Sequence, residues 1–226
     1  MNLPGTTRSR AGSFQRGVRS LGLRPGGRSW SSTAMAGRMV LLRHGATEWS
    51  VSGQHTGRTD IPLLPEGEGQ AVAAGAYLRS AGWTFDLVLT SPLRRAADTC
   101  RLTGFTGETE PDLMEWDYGG YEGIASRQIR EERRDWDLWE HGAPEGERAA
   151  DVGRRVDRVI ERTRRHPGDT LCVAHGHVLR VLTARWLGLP PIAGRLFLLG
   201  VGAVCVLGRE GSAGAVELWN FVPDPV

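Results

Sequence analysis

A three-layer α/β/α sandwich with a mostly parallel central sheet is the fold this sequence predicts, on three observations. Short unbroken apolar runs at Met39-Val40-Leu41-Leu42, Leu87-Val88-Leu89 and Leu171-Cys172-Val173-Ala174 read as strands covered on both faces, the habit of parallel sheets. Helical patterns alternate with these runs from Met39 onward. Each run also leads into basic residues: Arg43-His44-Gly45, Ser91-Pro92-Leu93-Arg94, and His175-Gly176. Open α/β sheets hold ligands outside the carboxyl ends of their strands, so parallel neighbours would bring these residues to one crevice.

Taken in order, Met39–Arg43 is expected as a strand, followed by a loop over Ser52–Pro65 rich in Gly, Thr and Asp. Glu66–Ala81 reads as a helix with small residues on one side, and Asp86–Thr90 as the next strand. A helix over Pro92–Thr103 would begin with proline where proline is tolerated. The run Glu115-Trp116-Asp117-Tyr118-Gly119-Gly120-Tyr121-Glu122-Gly123 is a loop. Ser126–Glu140 carries Ile129, Trp136 and Trp139 at helical spacing. Glu147–His166 puts Ala149, Val152, Val156, Val159 and Thr163 on one stripe, a strongly amphipathic helix. The strand Thr170–Ala174, the helix Val178–Leu187 and two strands around 196–207 and 215–221 complete the chain. No internal repeat is visible.

With 226 residues, the chain is long enough for one well-buried domain and short for two. Its longest apolar run, 196–207, is about half a membrane span, so no membrane partner is expected. All 28 basic residues are arginine, which codon bias in a GC-rich, bacterial genome explains more simply than physics does. No lysine is present to act as nucleophile, base or phosphate clamp. The net charge of +2 hides two regions. Residues 1–38 hold seven arginines and no acid, leaving 21 arginines against 26 acids, or −5, for the rest. An acidic body argues against nucleic acid as a partner. Cys100, Cys172 and Cys205 are widely spaced and odd in number, which fits small buried hydrophobes in a reducing cytoplasm and no metal cluster.

Residues 1–38 are rich in Gly, Ser, Arg and Pro without apolar periodicity, so a disordered extension is expected before a domain over 39–226. Met35 and Met39 stand where the fold would begin, which favours an upstream start codon misassigned in a GC-rich frame. A transit-like segment is the second reading and a functional basic arm the third.

The residues at the strand ends suit phosphate chemistry. A phosphoryl acceptor must be unprotonated, and a neutral imidazole meets that near neutrality. Arg43 beside His44 disfavours the charged ring. A phosphate monoester carries about −1.5 to −2 charges, and opposite charges about 4 Å apart gain roughly 4 kcal/mol at an effective dielectric of about 20. Arg43 and Arg94 are therefore candidates to hold it bidentately. His175 precedes Gly176, which lets backbone approach a phosphate closely. His177 two residues later suggests a His-x-His metal pair, but neighbouring arginines make a poor cation site. Leaving-group protonation needs a carboxyl, and Glu115, Asp117 and Glu122 all qualify on spacing. Each motif taken singly also fits a packed turn or a solvated surface; their joint order does not.

Leu41-Leu42-Arg43-His44-Gly45 with Thr47-Glu48-Trp49 resembles the signature of the histidine phosphatase superfamily, the phosphoglycerate-mutase-like branch. The likeness continues through Gly57, Asp60, Leu63, Pro65 and Gly67. It resumes at Ser91-Pro92-Leu93-Arg94-Arg95-Ala96 with Thr99, then at Glu115, Tyr118-Gly119 and Glu122-Gly123. Gly146-Glu147 and Ala174-His175-Gly176-His177 complete it, over essentially 39–222. The resemblance implies a phosphoglycerate mutase-like fold, with His44 as the phosphorylated nucleophile and Arg43, Arg94 and His175 as the phosphate pocket. It implies Glu115 as proton donor and later base, Ser50, Thr56, Gly57 and Gly176 on the substrate side, and no metal or other cofactor.

Two departures bear on substrate. Ser50 stands where mutases of this branch carry asparagine, and only 60 positions separate Glu115 from His175, without the mutases' longer basic insertion. A shorter lid admits water and favours hydrolysis. The segments 52–57 and 115–123 look most like sedoheptulose-1,7-bisphosphatase-type enzymes and small bacterial acid phosphatases. The expectation is a cytoplasmic phosphomonoester hydrolase acting on small phosphorylated substrates. The alternatives are a cofactor-dependent phosphoglycerate mutase and a non-catalytic phospholigand-binding member. Trp116, Trp136, Trp139 and Trp186 belong either to the core or to an apolar entrance or homodimer surface.

Overall fold

Alternating side chains of the central strands divide the core into two. In a computed structural model that describes residues 37–224, β1 (Met39–Arg43) sends Met39 and Leu41 to one face and Val40 and Leu42 to the other, all fully buried. The expectation for residues 1–36 lies outside the described residues. β2 (Leu87–Thr90), the short β3 (Glu108–Thr109) and β4 (Thr170–Ala174) run parallel to β1, whereas β5 (Val204–Glu210) and β6 (Ala213–Phe221) are antiparallel. The order is β3-β2-β4-β1-β5-β6, so the three predicted strands are adjacent, with β4 in the middle.

Helices cover both faces. α2 (Pro65–Ser80) and α3 (Arg94–Leu102) contribute Ala74, Leu78 and Cys100 to the layer over Val40, Leu42, Leu171 and Val173. On the opposite face, α6 (Ala149–Arg164) buries the predicted stripe of Ala149, Val152, Val156, Val159 and Thr163. Beside it, α7 (Gly176–Trp186) buries Val178, Leu179, Val181 and Leu182. Trp116, Trp136, Trp139 and Trp186 join this core, which removes the entrance and dimer-surface alternative. The three cysteines are buried too, and burial raises the Cys172 thiol to about 12. Among the described residues, no helix is long and apolar enough to cross a membrane.

Three boundaries differ from expectation. The helix after β2 begins at Arg94, because Asp60 Oδ1 accepts the Arg94 N–H at 2.7 Å and so caps it from another segment. The single helix expected over 126–140 is two: α4 (Ser126–Glu132) and α5 (Leu138–His141). Asp137 breaks it by accepting the Trp139 N–H at 2.9 Å, a local N-cap that competes with continuation. Residues 197–203 are irregular, and the preceding turn is a 3₁₀ helix over Pro191–Leu196. α1 (Glu48–Ser52) and β3 are elements too short for periodicity to reveal.

Candidate active site

The sheet ladder continues past the strand ends. His44 N–H donates to Ala174 O at 2.9 Å and Ser91 N–H donates to Val173 O at 3.0 Å, so β1, β2 and β4 deliver their next residues in register. His44 Nδ1 lies 2.7 Å from Gly45 O. A carbonyl only accepts, so Nδ1 carries the proton and Nε2 the lone pair, with no protein partner among the described residues. Burial, then the charges of Arg43 and Arg95, push the His44 pKa well below its ordinary value. The result is a neutral imidazole of fixed tautomer.

Arg43 Nη1 donates to Leu199 O at 2.5 Å, while its buried Nε has no partner. The guanidinium lies across Gly176: a Cβ there would come within 3.3 Å of Arg43 Cζ. His44, Arg43 and Gly176 line a cavity of about 260 Å³ with Ser50, Thr56 and Glu115. Ser50 is tied into a capping box with Thr47, accepting its N–H at 2.8 Å and donating to its carbonyl at 2.9 Å. Gly57 stays outside the cavity. Its N–H donates to Glu122 Oε1 at 2.8 Å, and a Cβ would meet Glu122 and Trp116 O at 2.7 Å.

Arg94 is not part of this site. Its side chain is 62% exposed and pairs with Asp98. The next residue, Arg95, is fully buried, because the inward face of α3 carries Arg95, Ala96, Thr99 and Cys100 and position 94 is turned about 100° away from 95. Arg95 Nε donates to His175 Nδ1 at 3.1 Å, and its Nη atoms donate to the carbonyls of Thr56, Gly57 and Thr59. With Nδ1 accepting, His175 donates from Nε2 to Ser91 Oγ at 2.7 Å. His175 is thus wholly buried behind His44, ring centroids 5.2 Å apart, and does not itself line the cavity.

Of the three carboxylates left open by spacing, only Glu115 reaches the cavity. Its Oε1 accepts from Trp116 and Val178 N–H, and its Oε2 from His177 N–H, each at 2.8–2.9 Å, which places it at the N-terminus of α7. Asp117 pairs with Arg58. Glu122 accepts the N–H groups of Gly57 and Thr59 and so holds the 57–59 turn. Behind Glu115, Arg155 donates to the carbonyls of Asp112, Met114 and Glu115 and to both oxygens of Glu147.

The same cavity is also lined by residues to which the sequence assigns no phosphate-site role: Trp49, Tyr118, Ser126 and Arg180, with His55 and His177. His177 Nδ1 lies 2.7 Å from Tyr118 Oη, an arrangement quite unlike half of a metal pair. His55 Nε2 is 3.1 Å from Ser126 Oγ, and burial lowers its pKa to about 4. Burial, then Arg180, lowers His177 likewise. Nothing periodic marks Arg180; only its place one helical turn past Gly176 could have pointed to it.

The chain matches the family described as "Histidine phosphatase superfamily (branch 1)" over residues 39–222. It is 42% identical over 176 residues to an acid phosphatase of Mycobacterium tuberculosis, covering 76% of this chain and 87% of that one. It is 38% identical over 186 residues to a sedoheptulose 1,7-bisphosphatase of Saccharomyces cerevisiae, covering 67% and 68%. Among solved structures, a mycobacterial glucosyl-3-phosphoglycerate phosphatase with bound VO3 superposes with a TM-score of 0.71 at 29% identity, covering 82% of this chain and 99% of that one. Matched along nearly its whole described length, this chain belongs to the histidine phosphatase superfamily, branch 1.

Proposed function

We propose that this chain hydrolyses phosphomonoesters of small metabolites through a phosphorylated His44, with no metal ion. The observation that carries the reading is His44 itself: neutral, Nδ1 tethered to Gly45 O, Nε2 unpartnered, in one cavity with Arg43 and Glu115. The His44 Nε2 lone pair attacks phosphorus while the ester P–O bond breaks. Glu115 gives its proton to the departing oxygen, which leaves as an alcohol. Gly45 O, accepting from Nδ1, stabilises the imidazolium that forms. Arg43 neutralises charge on the phosphoryl oxygens. His175, whose Nε2–H rests on Ser91 Oγ behind His44, would reach the phosphoryl group only by giving up that bond. In the second step Glu115 takes a proton from water, whose oxygen attacks phosphorus as the N–P bond breaks, restoring neutral His44.

Relatives named as phosphatases of sugar phosphates and phosphoglycerate-type esters support the substrate class. A second reading, bisphosphoglycerate-dependent mutase, is favoured by relatives so named, one of them 33% identical over 168 residues.

Phosphate release from sugar phosphates and phosphoglycerates, with EDTA throughout, separates the two. Hydrolysis insensitive to EDTA, with a phosphoenzyme that is acid-labile, alkali-stable and absent from His44→Ala, is the expected result. Turnover retained by His44→Ala overturns the mechanism. Interconversion of 3- and 2-phosphoglycerate only with added bisphosphoglycerate, and no hydrolysis, makes it a mutase.

A further inference from the structure

Strand β6 carries one residue too many. Val204 pairs with Phe221 and Val206 with Leu218, so Trp219 and Asn220 together oppose Cys205 in a β-bulge. Asn220 has φ 56°, and its N–H turns to Cys205 Sγ at 3.2 Å. Among the described residues one other non-glycine has positive φ, Glu145, and it lies in a turn. Glycine meets such a bulge without steric cost. An asparagine held in this conformation inside a strand therefore points to a use for its side chain.

Both bulge side chains reach the same loop. Trp219 Nε1–H donates to Leu198 O at 2.7 Å, and its ring meets Phe197 edge-on, centroids 5.4 Å apart. Asn220 Oδ1 accepts the Gly200 N–H at 2.7 Å. The residue gripped between these two bonds is Leu199, which lines the cavity beside His44 and whose carbonyl accepts from Arg43 Nη1 at 2.5 Å. Among the described residues that is the one hydrogen bond of the Arg43 side chain, since its Nε has no partner. The orientation of this buried guanidinium is thus set by where Leu199 O stands. Packing holds little of the loop around it, because Leu196 and Leu198 are 71% and 72% exposed. Farther along, Ala203 O accepts the Arg43 N–H at 3.1 Å and Gly202 N–H donates to His44 O at 3.0 Å, so the same loop also meets the backbone of both residues.

We infer that the Trp219–Asn220 bulge positions Arg43 for the phosphoryl group by fixing the Leu199 carbonyl from both sides. Both are positioning residues at the sheet edge; neither lines the cavity. The inference rests on the phosphatase reading above and adds to it the residues that aim its phosphate clamp.

Three variants test it, each assayed for p-nitrophenyl phosphate hydrolysis, inhibition by orthovanadate and unfolding in urea. Asn220→Gly keeps the left-handed backbone and removes the bond to Gly200, whereas Asn220→Asp keeps both. A catalytic group misplaced by about 1 Å can cost about 10²-fold. Asn220→Gly should therefore lose about 10- to 100-fold in kcat/KM and weaken vanadate inhibition by a similar factor, vanadate standing in for the phosphoryl group in its transition state. Asn220→Asp should stay within about threefold of the wild type in both. The vanadate Ki decides, because a smaller folded fraction lowers the apparent kcat and leaves Ki unchanged. Trp219→Phe keeps a ring against Phe197 and removes the donor to Leu198 O. It should shift kcat/KM and Ki in the same direction, and it carries the test should Asn220→Gly show no cooperative unfolding. A Ki within about twofold of the wild type in the folded variants, or an equal loss in Asn220→Asp and Asn220→Gly, overturns the inference and leaves the phosphatase reading intact. No phosphate release by the wild type from p-nitrophenyl phosphate, sugar phosphates or phosphoglycerates overturns that reading, and this inference with it.

Discussion

Acid should unfold this protein, because four of its imidazoles are neutral when folded. His44, His55, His175 and His177 all have pKa values lowered by burial, His55 to about 4 and the others well below the ordinary value. In the unfolded chain each returns to about 6.5. The unfolded state therefore binds more protons below that value, and stability is lost as pH falls through it. Between about pH 7.5 and about pH 5.5 each ring that stays neutral in the folded state costs on the order of 1 kcal/mol, and four together cost roughly 5 kcal/mol. Ordinary carboxylates titrate near 4, below this window. The loss is comparable to the whole stability of a marginal domain, about 5–15 kcal/mol. Urea unfolding at three pH values in phosphate-free buffer measures it. Stability should fall by about 5 kcal/mol over the window, with about two protons taken up on unfolding near pH 6.5. His55→Gln should reduce the pH-dependent part by about 1 kcal/mol, whatever its effect at pH 7.5. A change under about 1.5 kcal/mol across the window would mean that most of these rings are protonated in the folded state, and the neutral nucleophile would fall with them.

Other perturbations read different parts of the site. Glu115→Gln should slow alkyl phosphates by about 10²–10⁴-fold in kcat and aryl phosphates, whose leaving groups depart unaided, much less; equal losses on both would remove Glu115 as the acid. Arg155→Met leaves the partly buried Glu147 carboxylate and the carbonyls around Glu115 unpaired, so unfolding free energy should drop by about 2–4 kcal/mol in urea titrations. A drop below about 1 kcal/mol would show that the buried pair does not hold this loop. Gly57→Ala forces a Cβ to 2.7 Å from backbone and from Glu122, and should cost about 1–3 kcal/mol in the same assay.

The sheet was legible because its strands are buried on both faces and carry no competing period, and α6 because its stripe is so regular. Gly119, at φ 46° and within 2.1 Å of Pro144 O for any added Cβ, marks a turn that its Gly-Gly sequence announces. What stayed hidden depends on helix phase and on long-range caps. Two adjacent arginines read alike in sequence, yet Asp60 fixes the start of α3 and so decides that 95, not 94, faces inward. Glu115 could not be separated from Asp117 and Glu122 by spacing, since the choice rests on the N–H groups of His177 and Val178, more than sixty residues away. His175 reads as a cavity residue until Arg95 and Ser91 are seen to take both of its nitrogens.

The position of β4 has a consequence for how the chain acquires activity. Residues 170–174 lie between strands 39–43 and 87–90, which touch β4 but not each other. A nascent chain that ends before β4 therefore holds β1 without any partner strand, separate from the β2–β3 pair. His44 cannot meet Glu115, because the N–H groups that hold that carboxylate belong to the helix after β4. Such non-local closure is slow and comes late in synthesis. The cavity is thus completed only by the last third of the chain, which supplies β4, the helix after it and Leu199.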